Sequence, residues 1–493
     1  MSQGLGLVIL TFTAKIAGFL RDLVLSYFYG ASYIVDAYII ATTIPMVIFS
    51  FLGTGIETSL IPVFSKMKQE QQDIDKFTSN IINIFLSVCL IAILLILIFP
   101  EFIVRVFASG FNAETMLIAV SFTRFSILGI GFTTITYIFT SILHYENKFI
   151  AAALSVILMD IVVLLFVLLS SKFGIYLLPI GNVAAFAIQS VFLSFFVRKH
   201  KYYRIFSFKD KYFKELIRII IPVIIGTSVN QLNLLIDQTL ASSITVGGIA
   251  YLNYANKILS VVQGVFILSF ISLLFPKMTE MYNNNLLKKL TDKLVQWIIS
   301  LQFFLMPCTL IFCFYAKDII RFLLQRGEFS LNDTSNTAQI LFIYAVELPF
   351  YGLREILCRV YYTKKNTKLP MLNSIIGLLI NILISVLLAI KYGLIGLAIG
   401  TAVSCIITSF FILYHFLNDF LPHQKLTFLI QIIKSSFIFG SVALTISYPV
   451  TKYMNINNEN FFIIKVCIIF IIYIFVTIPY LLKHKILILK NKD

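Results

Sequence analysis

The chain has 493 residues, of which 59% are hydrophobic and 13% are charged, and its mean hydropathy is +0.93. These values exclude an ordinary soluble globular protein and predict a polytopic membrane protein. The net charge of +16 is what basic cytoplasmic loops produce in a membrane protein, so it does not indicate a nucleic-acid partner. The six cysteines form no CxxC pair, which argues against a disulfide framework or a metal site.

Fourteen apolar segments follow one another along the chain, each long enough to cross a bilayer. We therefore predict an all-α protein with fourteen transmembrane helices and only short segments outside the membrane. The predicted spans are 4–29, 33–64, 78–100, 114–143, 149–171, 175–197, 215–241, 248–275, 294–316, 334–361, 369–390, 393–417, 426–450 and 461–482.

Lys and Arg residues are concentrated in alternate loops. One side of the membrane receives basic clusters such as Lys66–Lys76, Arg198–Lys214 and Lys277–Lys293, whereas the other side receives few cations. Because basic loops stay in the cytoplasm, this alternation predicts a multi-pass membrane protein with both termini in the cytoplasm.

Three pairs of similar segments lie at nearly constant offset. They are Glu101–Arg105 with Lys317–Arg321, Leu60–Met67 with Leu273–Met281, and Lys172–Gly181 with Lys391–Gly400. The repeating unit contains six spans, so both copies run the same way through the membrane, as in transporters whose two lobes flank a central site. We predict two parallel six-helix lobes around a central cavity. The first lobe comprises residues 1–198 and the second 215–418. A basic cytoplasmic linker, 199–214, joins them, and residues 419–493 form two extra helices and a basic tail.

Charged side chains interrupt the first spans. A charge at the centre of a membrane helix costs about 2.5–3.5 kcal/mol on insertion scales, so such residues are expected to face a cavity, a partner or a ligand. These residues are Lys15, Arg21 and Asp22 in span 1, Asp36 and Glu57 in span 2, and Arg124 in span 4.

Spans 7 and 8 each carry a polar face with the spacing i, i+4, i+7 and i+11, which places its members on one side of a helix. The faces consist of Gly226, Asn230, Asn233 and Asp237 in span 7, and Asn253, Lys257, Ser260 and Gly264 in span 8. Together with the charges of spans 1 and 2 they predict a hydrated cavity between the lobes. Two structural interpretations stay open: hydrogen bonding that holds helices together, and an ion pair between Asp237 and Lys257.

The sequence carries no enzyme signature. It contains no P-loop, no GxSxG and no HExxH motif, and no two histidines are paired on a helix. We therefore expect a transporter rather than an enzyme, with no organic cofactor. Its energy would come from an ion gradient or from the membrane potential.

Several motifs resemble those of the MurJ-type (MviN) lipid II flippases of the multidrug/oligosaccharidyl-lipid/polysaccharide exporter superfamily. The similar segments are KIAGFLRD, YGAS, VDAY and the IP that follows in spans 1 and 2, and IGTSVNQLNLLIDQTLAS and YLNYANKI in spans 7 and 8. The resemblance implies a flippase that moves undecaprenyl-diphosphate-linked peptidoglycan precursor to the outer leaflet by alternating access. The two extra helices would line a groove for the lipid tail.

By position, the resemblance assigns Lys15, Arg21 and Lys257 to the diphosphate of an anionic glycolipid. It leaves supporting or gating roles to Asp22, Asp36, Glu57, Arg124, Asn230, Asn233 and Asn253. A coupling Na⁺ or H⁺ is implied at Asp237, Asn373 and Thr401, because oxygen ligands suit a hard cation. The chain departs from the family pattern after the span 2 proline, where Met46–Phe51 contains no Arg, and at Lys15 and Lys257, where many members have Arg.

Other functions remain open on the sequence. A flippase for another undecaprenyl-diphosphate glycan, of the O-antigen, capsule or teichuronic type, shares the same plan. A drug or cation antiporter of the same superfamily would be expected to have an acidic, aromatic-lined cavity instead. A membrane scaffold without transport is the third alternative. In each case we expect a monomer among membrane lipids.

Overall fold

The computed structural model describes residues 2–453 and 460–483. Over these ranges the chain forms helices and no strand. The helices are α1 Ser2–Tyr29, α2 Tyr33–Gln69, α3 Ile74–Ile98, α4 Pro100–Phe107, α5 Ala113–Ser126, α6 Ile130–Tyr145, α7 Phe149–Phe173, α8 Leu177–Phe196, α9 Lys211–Ile244, α10 Gly248–Val262, α11 Ser269–Asn283, α12 Leu287–Leu324, α13 Leu331–Thr363, α14 Lys368–Tyr392, α15 Leu394–Phe420, α16 Lys425–Tyr453 and α17 Asn460–Lys483.

Every predicted span coincides with helical structure. A short 3₁₀ segment, Ile127–Gly129, joins α5 to α6, and a π-helical segment, Gln263–Leu268, joins α10 to α11. In the described chain, nine helical stretches are long and apolar enough to cross a membrane. Four of the helices outside that set, α1, α2, α9 and α13, carry charged side chains within their apolar runs. The all-helical membrane class is confirmed, while the number of fourteen spans stays a prediction.

Helix starts in the first half of the chain follow ordinary capping chemistry. Side chains of Asp73, Asn112 and Asp210 accept hydrogen bonds from backbone N–H groups in the first turns of α3, α5 and α9, respectively. Each acceptor satisfies a donor that has no partner inside the helix. These three residues therefore determine where the helices begin after their loops.

The chain divides into two compact units. The first contains Met1–Ala250 and Arg326–Ser330, and the second contains Tyr251–Gln325 and Leu331–Asp493. Within the first unit α9 packs along α2, where the Gln238 side-chain amide donates to the Thr43 hydroxyl over 3.2 Å. Because of this packing α9 belongs to the first compact unit, although the repeat assigns it to the second lobe. The lobe boundaries derived from the repeat stay a prediction.

The basic segment between α8 and α9 is docked on the first unit rather than left as an open linker. Asn80 of α3 donates to the carbonyl of Ser207 over 2.9 Å and accepts from its N–H over 2.7 Å. Asn83, one turn away, donates to the carbonyl of Ile205 over 2.8 Å. The polar first turns of α3 therefore provide the hydrogen bonds that an irregular backbone segment needs.

In the second unit, α16 packs on α12, and α17 packs on both α16 and α12. Phe303 of α12 contacts the rings of Phe439 and Tyr473, and the Tyr473 hydroxyl donates to the carbonyl of Phe303 over 2.9 Å. All three residues are buried. The two helices beyond the repeat are thus attached to the second unit through an aromatic core of their own.

Candidate functional site

Arg21 is held by two carboxylates inside the first unit. Its Nη1 donates to Asp160 Oδ1 over 2.8 Å, while its Nη2 and Nε donate to Asp22 Oδ1 over 3.0 and 3.1 Å. The side chains of Arg21, Asp22 and Asp160 are 21%, 13% and 7% exposed. One guanidinium between two carboxylates gives the cluster a formal charge of −1. An anionic ligand that approached Arg21 would have to compete with both carboxylates.

Asp160 was not among the residues predicted from the sequence. It is the single acidic residue within α7, whose other residues are almost all apolar, and such a residue is a functional candidate by default in a membrane helix. Gly18 of α1 lies opposite, where an added Cβ would be 3.4 Å from the Asp160 carboxylate. At that distance an added Cβ would be in ordinary contact with the carboxylate, so α1 and α7 lie close together at Gly18.

The other two predicted cations differ from Arg21 in their surroundings. Lys15 lies on α1 and is exposed, whereas Lys257 lies on α10 in the second unit and is half-buried, together with the half-buried Asn253. The Ser260 hydroxyl of the predicted polar face donates to the carbonyl of Lys257 over 2.7 Å. That these cations share one ligand with Arg21 stays a prediction.

Asp36 binds backbone N–H groups rather than a charged side chain, a partner that the sequence did not indicate. Its two carboxylate oxygens accept hydrogen bonds from the backbone N–H groups of Gly247, over 2.6 Å, and Ala250, over 2.8 Å. These N–H groups lie at the start of α10, and Asp36 is 1% exposed. A side chain of α2 therefore caps the N-terminus of α10, where the helix dipole favours a negative charge.

The residues predicted to hold a coupling cation fall into two groups. Asp237 and Asn233 are half-buried on α9 of the first unit, whereas Asn373 and Thr401 lie on α14 and α15 of the second. The Thr401 hydroxyl accepts from the side-chain amide of Asn381 over 3.0 Å. Asn381, rather than Asn373, is therefore the α14 residue that contacts Thr401 through a hydrogen bond in this conformation.

Three further residues were predicted from the sequence: Arg124, Glu57 and Asn230. Arg124 is exposed on α5. The side chains of Glu57 and Asn230 lie outside the described part of the chain. Among the described residues, no group of three or more His, Cys, Asp or Glu side chains is placed to hold a metal ion.

A buried carboxylate also lies in the second unit, next to irregular helix geometry. Glu347 of α13 is 6% exposed, and its carboxylate accepts from the side-chain amide of Gln263 over 3.3 Å. Gln263 begins the π-helical segment between α10 and α11. Such π segments are frequent at functional sites, so this pair marks the point at which α10 departs from regular geometry.

The solved structure of a lipid II flippase MurJ in an inward closed conformation matches this chain with a TM-score of 0.85 and 29% identity. The match covers 96% of this chain and 98% of the other. An inward-facing transporter of the multidrug MATE family matches with a TM-score of 0.61 over 87% of this chain and 94% of the other, at 16% identity. This second likeness concerns the fold alone.

Curated relatives extend the same comparison. The chain is 31% identical over 373 residues to the lipid II flippase MurJ of Thermosipho africanus, which is 75% of each chain. It is 29% identical over 372 residues to a probable lipid II flippase MurJ of Aquifex aeolicus, covering 74% of this chain and 72% of the relative. The profile of the lipid II flippase MurJ family matches residues 25–473. The chain therefore belongs to the lipid II flippase MurJ family.

Proposed function

We propose that this protein moves lipid II, the undecaprenyl-diphosphate-linked peptidoglycan precursor, from the inner to the outer leaflet of the bacterial cytoplasmic membrane. The observation that carries the proposal is the match of the MurJ family profile over residues 25–473. The protein acts as a transporter that alternates between inward-facing and outward-facing conformations, not as an enzyme.

Arg21 is the group of the first unit that we assign to the diphosphate of an anionic cargo. Arg21 presents a planar guanidinium that pairs with phosphate oxygens in the same bidentate way as with carboxylates. The diphosphate of the cargo has to displace Asp160 or Asp22 from Arg21, so its binding must offset the loss of one carboxylate–guanidinium pair. Lys15 and Lys257 add mobile point charges, which respond to the cargo's position less strictly than a guanidinium does.

Rescue of a bacterium depleted of its own lipid II flippase tests this function. We expect the wild-type protein to restore growth and Arg21→Ala to abolish rescue when the two are compared at matched amounts of membrane-inserted protein. Lys257→Arg is expected to be tolerated, and Lys257→Ala is not, because charge is what the position supplies. Lys172→Ala, at an exposed position at the end of α7, is the matched control and is expected to rescue fully. Rescue by the double variant Arg21→Ala with Lys257→Ala, at normal protein level, would rule out this anion site.

Coupling to a monovalent cation completes the proposal. We assign Asp237 as the carboxylate that couples transport to Na⁺ or H⁺, because oxygen donors suit a hard cation. That Asn373 and Thr401 contribute to the same ion stays a prediction from the sequence. We expect Asp237→Asn to remove the dependence of lipid II transport in liposomes on a sodium or proton gradient. If transport and its ion dependence are the same in Asp237→Asn and in wild type, the coupling site lies elsewhere.

The proposed direction of transport requires both termini to lie in the cytoplasm. A single cysteine introduced at the exposed position Ser243 in a cysteine-free background is expected to react with an impermeant maleimide from outside. Cysteines at Gln72 and Asn284 are expected to react only after the membrane is opened. Labelling of Gln72 in intact cells would contradict the proposed orientation.

A further inference from the structure

A cavity of about 690 Å³ lies within the first unit. Residues of α1, α2, α5, α6, α7, α8 and α9 line it, together with the 3₁₀ residue Gly129. Its volume falls in the range of about 300–1,000 Å³ that is typical of small-molecule sites. The cavity is therefore large enough to hold part of a cargo headgroup.

One face of α6 supplies the polar wall of this cavity. Thr133, Tyr137, Thr140 and His144 line it at the spacing i, i+4, i+7 and i+11, and Thr136 lies beside them. This is the spacing that places side chains on one side of a helix. Hydroxyl groups both donate and accept hydrogen bonds, so the wall adapts to a ligand that presents both kinds of group.

Amide side chains from two other helices complete the lining. Asn182 and Gln189 of α8 and Gln231 of α9 reach the cavity. The Gln189 amide is oriented by Ser155, to whose hydroxyl it donates over 3.1 Å. Amides and hydroxyls on facing walls are the groups that bind sugar hydroxyls and acetamido groups.

Three buried polar atoms in the cavity wall have no hydrogen-bond partner among the described residues. They are Ser126 Oγ, Thr136 Oγ1 and Gln231 Oε1. Ser126 and Thr136 are 5% and 7% exposed. Leaving such a group unpaired is costly, so a ligand that pairs with these three atoms gains affinity from groups that the fold already carries.

The cavity lining carries no Asp, Glu, Lys or Arg among the described residues, and His144 is its one imidazole. A charged ligand would lose its hydration there without gaining a counter-charge, which is costly. A neutral ligand with many hydrogen-bonding groups avoids that cost. The rings of Phe149 and Phe186, also in the lining, provide apolar surface for the C–H faces of a sugar ring.

We propose that this cavity is a subsite for the neutral, N-acetylated glycan portion of the cargo headgroup, separate from the diphosphate site at Arg21. The inference rests on the proposed function, since it assigns a part of the same cargo. It divides recognition between a charged cluster for the diphosphate and an uncharged hydroxyl-lined and amide-lined cavity for the sugars.

Saturation-transfer NMR on the full-length protein in nanodiscs tests the subsite, with N,N′-diacetylchitobiose as the probe. We expect the disaccharide to bind wild type and to bind the double variant Thr133→Val with Thr140→Val about tenfold more weakly. That factor corresponds to the loss of two hydrogen bonds of about 0.5–1.5 kcal/mol each. Thr134→Val is the control: the Thr134 hydroxyl donates to the Ile130 carbonyl as that of Thr133 donates to the Gly129 carbonyl, each over 2.9 Å, but Thr134 does not line the cavity. It should bind as wild type does.

Inorganic pyrophosphate serves as the charged probe. We expect it to leave the disaccharide signal unchanged, and displacement of the disaccharide by pyrophosphate would overturn the assignment of a neutral subsite. Equal binding of the disaccharide by wild type and the double variant would overturn it as well.

Transport of lipid II into liposomes separates this inference from the proposed function. We expect the double variant to raise the lipid II concentration needed for half-maximal transport about tenfold, while Thr134→Val leaves it unchanged. If wild type transports lipid II but does not bind the disaccharide, the subsite is wrong and the flippase function stands. If wild type fails to transport lipid II, the proposed function itself fails.

Discussion

The carboxylate of Asp36 in α2 accepts a hydrogen bond from the backbone N–H of Gly247, 2.6 Å away, at the residue that precedes α10. Its second oxygen accepts from Ala250 in the first turn of the same helix. The start of α10 is therefore defined by a residue that lies more than two hundred positions earlier in the sequence.

Replacing this cap is expected to destabilise the protein. Asp36→Ala removes both acceptors, and charged hydrogen bonds contribute about 1.5–3 kcal/mol each. Asp36→Asn keeps one acceptor oxygen but turns an NH₂ group toward a backbone N–H, so it should also lower the melting temperature, by less than Asp36→Ala. Fluorescence-detected size exclusion after heating measures the effect. Glu101→Gln, in an exposed pair with Arg105 on α4, is the control, and an equal shift in that variant would contradict the capping role.

The ion-pair cluster predicts strong coupling between Arg21 and Asp160. Arg21→Gln leaves two nearby carboxylates without the guanidinium, and breaking a buried pair in this way costs about 3–5 kcal/mol. Asp160→Asn leaves Arg21 paired with Asp22, so this variant should lose less stability than Arg21→Gln. The double variant is expected to be more stable than the sum of the single effects implies, by about 0.5–3 kcal/mol. Additive shifts in thermal stability would show that the two side chains do not interact in the membrane.

Acid should weaken the docking of the segment between α8 and α9. Burial raises the pKa of Glu146, but hydrogen bonds from Lys199, Lys148 and His200 outweigh burial and lower the pKa to about 2. His200 also contacts Asp75 of α3 over 2.5 Å. Because the pKa of Glu146 is depressed in the folded state, its stabilisation is complete above about pH 4.5 and is lost as the pH falls toward 2.

Glu146→Gln is therefore expected to lower the melting temperature at pH 7. The difference from wild type should narrow steadily from about pH 5 to pH 3. Melting curves of both proteins in the same detergent measure this difference. A gap that stays constant over that pH range would show that the carboxylate makes no ionised contact in the folded protein.

The turn after α12 requires glycine at position 327. Gly327 has φ of +59°, and a Cβ there would lie 2.2 Å from the carbonyl oxygen of Tyr27. That carbonyl accepts from the N–H of Glu328 over 2.9 Å. Gly327→Ala would therefore break a backbone contact as well as strain the turn.

Gly174→Ala provides the matched comparison. Gly174 has φ of +111°, but an added Cβ meets no atom within 4 Å, so that variant is destabilised by backbone strain alone, about 1–3 kcal/mol. We expect Gly327→Ala to lower the melting temperature more than Gly174→Ala does. Equal effects would show that the turn moves away from Tyr27 without cost.

The sequence by itself predicted the membrane class, the helical segments and the family. Apolar length and loop charge are local properties, and they decide which segments enter a bilayer regardless of what the helices later contact. Motifs such as KIAGFLRD and YLNYANKI are local as well. For the same reason the sequence identified Arg21 and Asp36 as charges that need partners.

Only the tertiary structure decided which residues Arg21 and Asp36 contact. Arg21 meets Asp160 because α1 lies along α7, and the hydrogen bond from Gly247 shows that Asp36 of α2 lies next to the residue that precedes α10. The polar face of α6 becomes a cavity wall only where other helices leave space in front of it. Sequence periodicity determines which face of a helix is polar, but the packing of distant segments determines what that face meets.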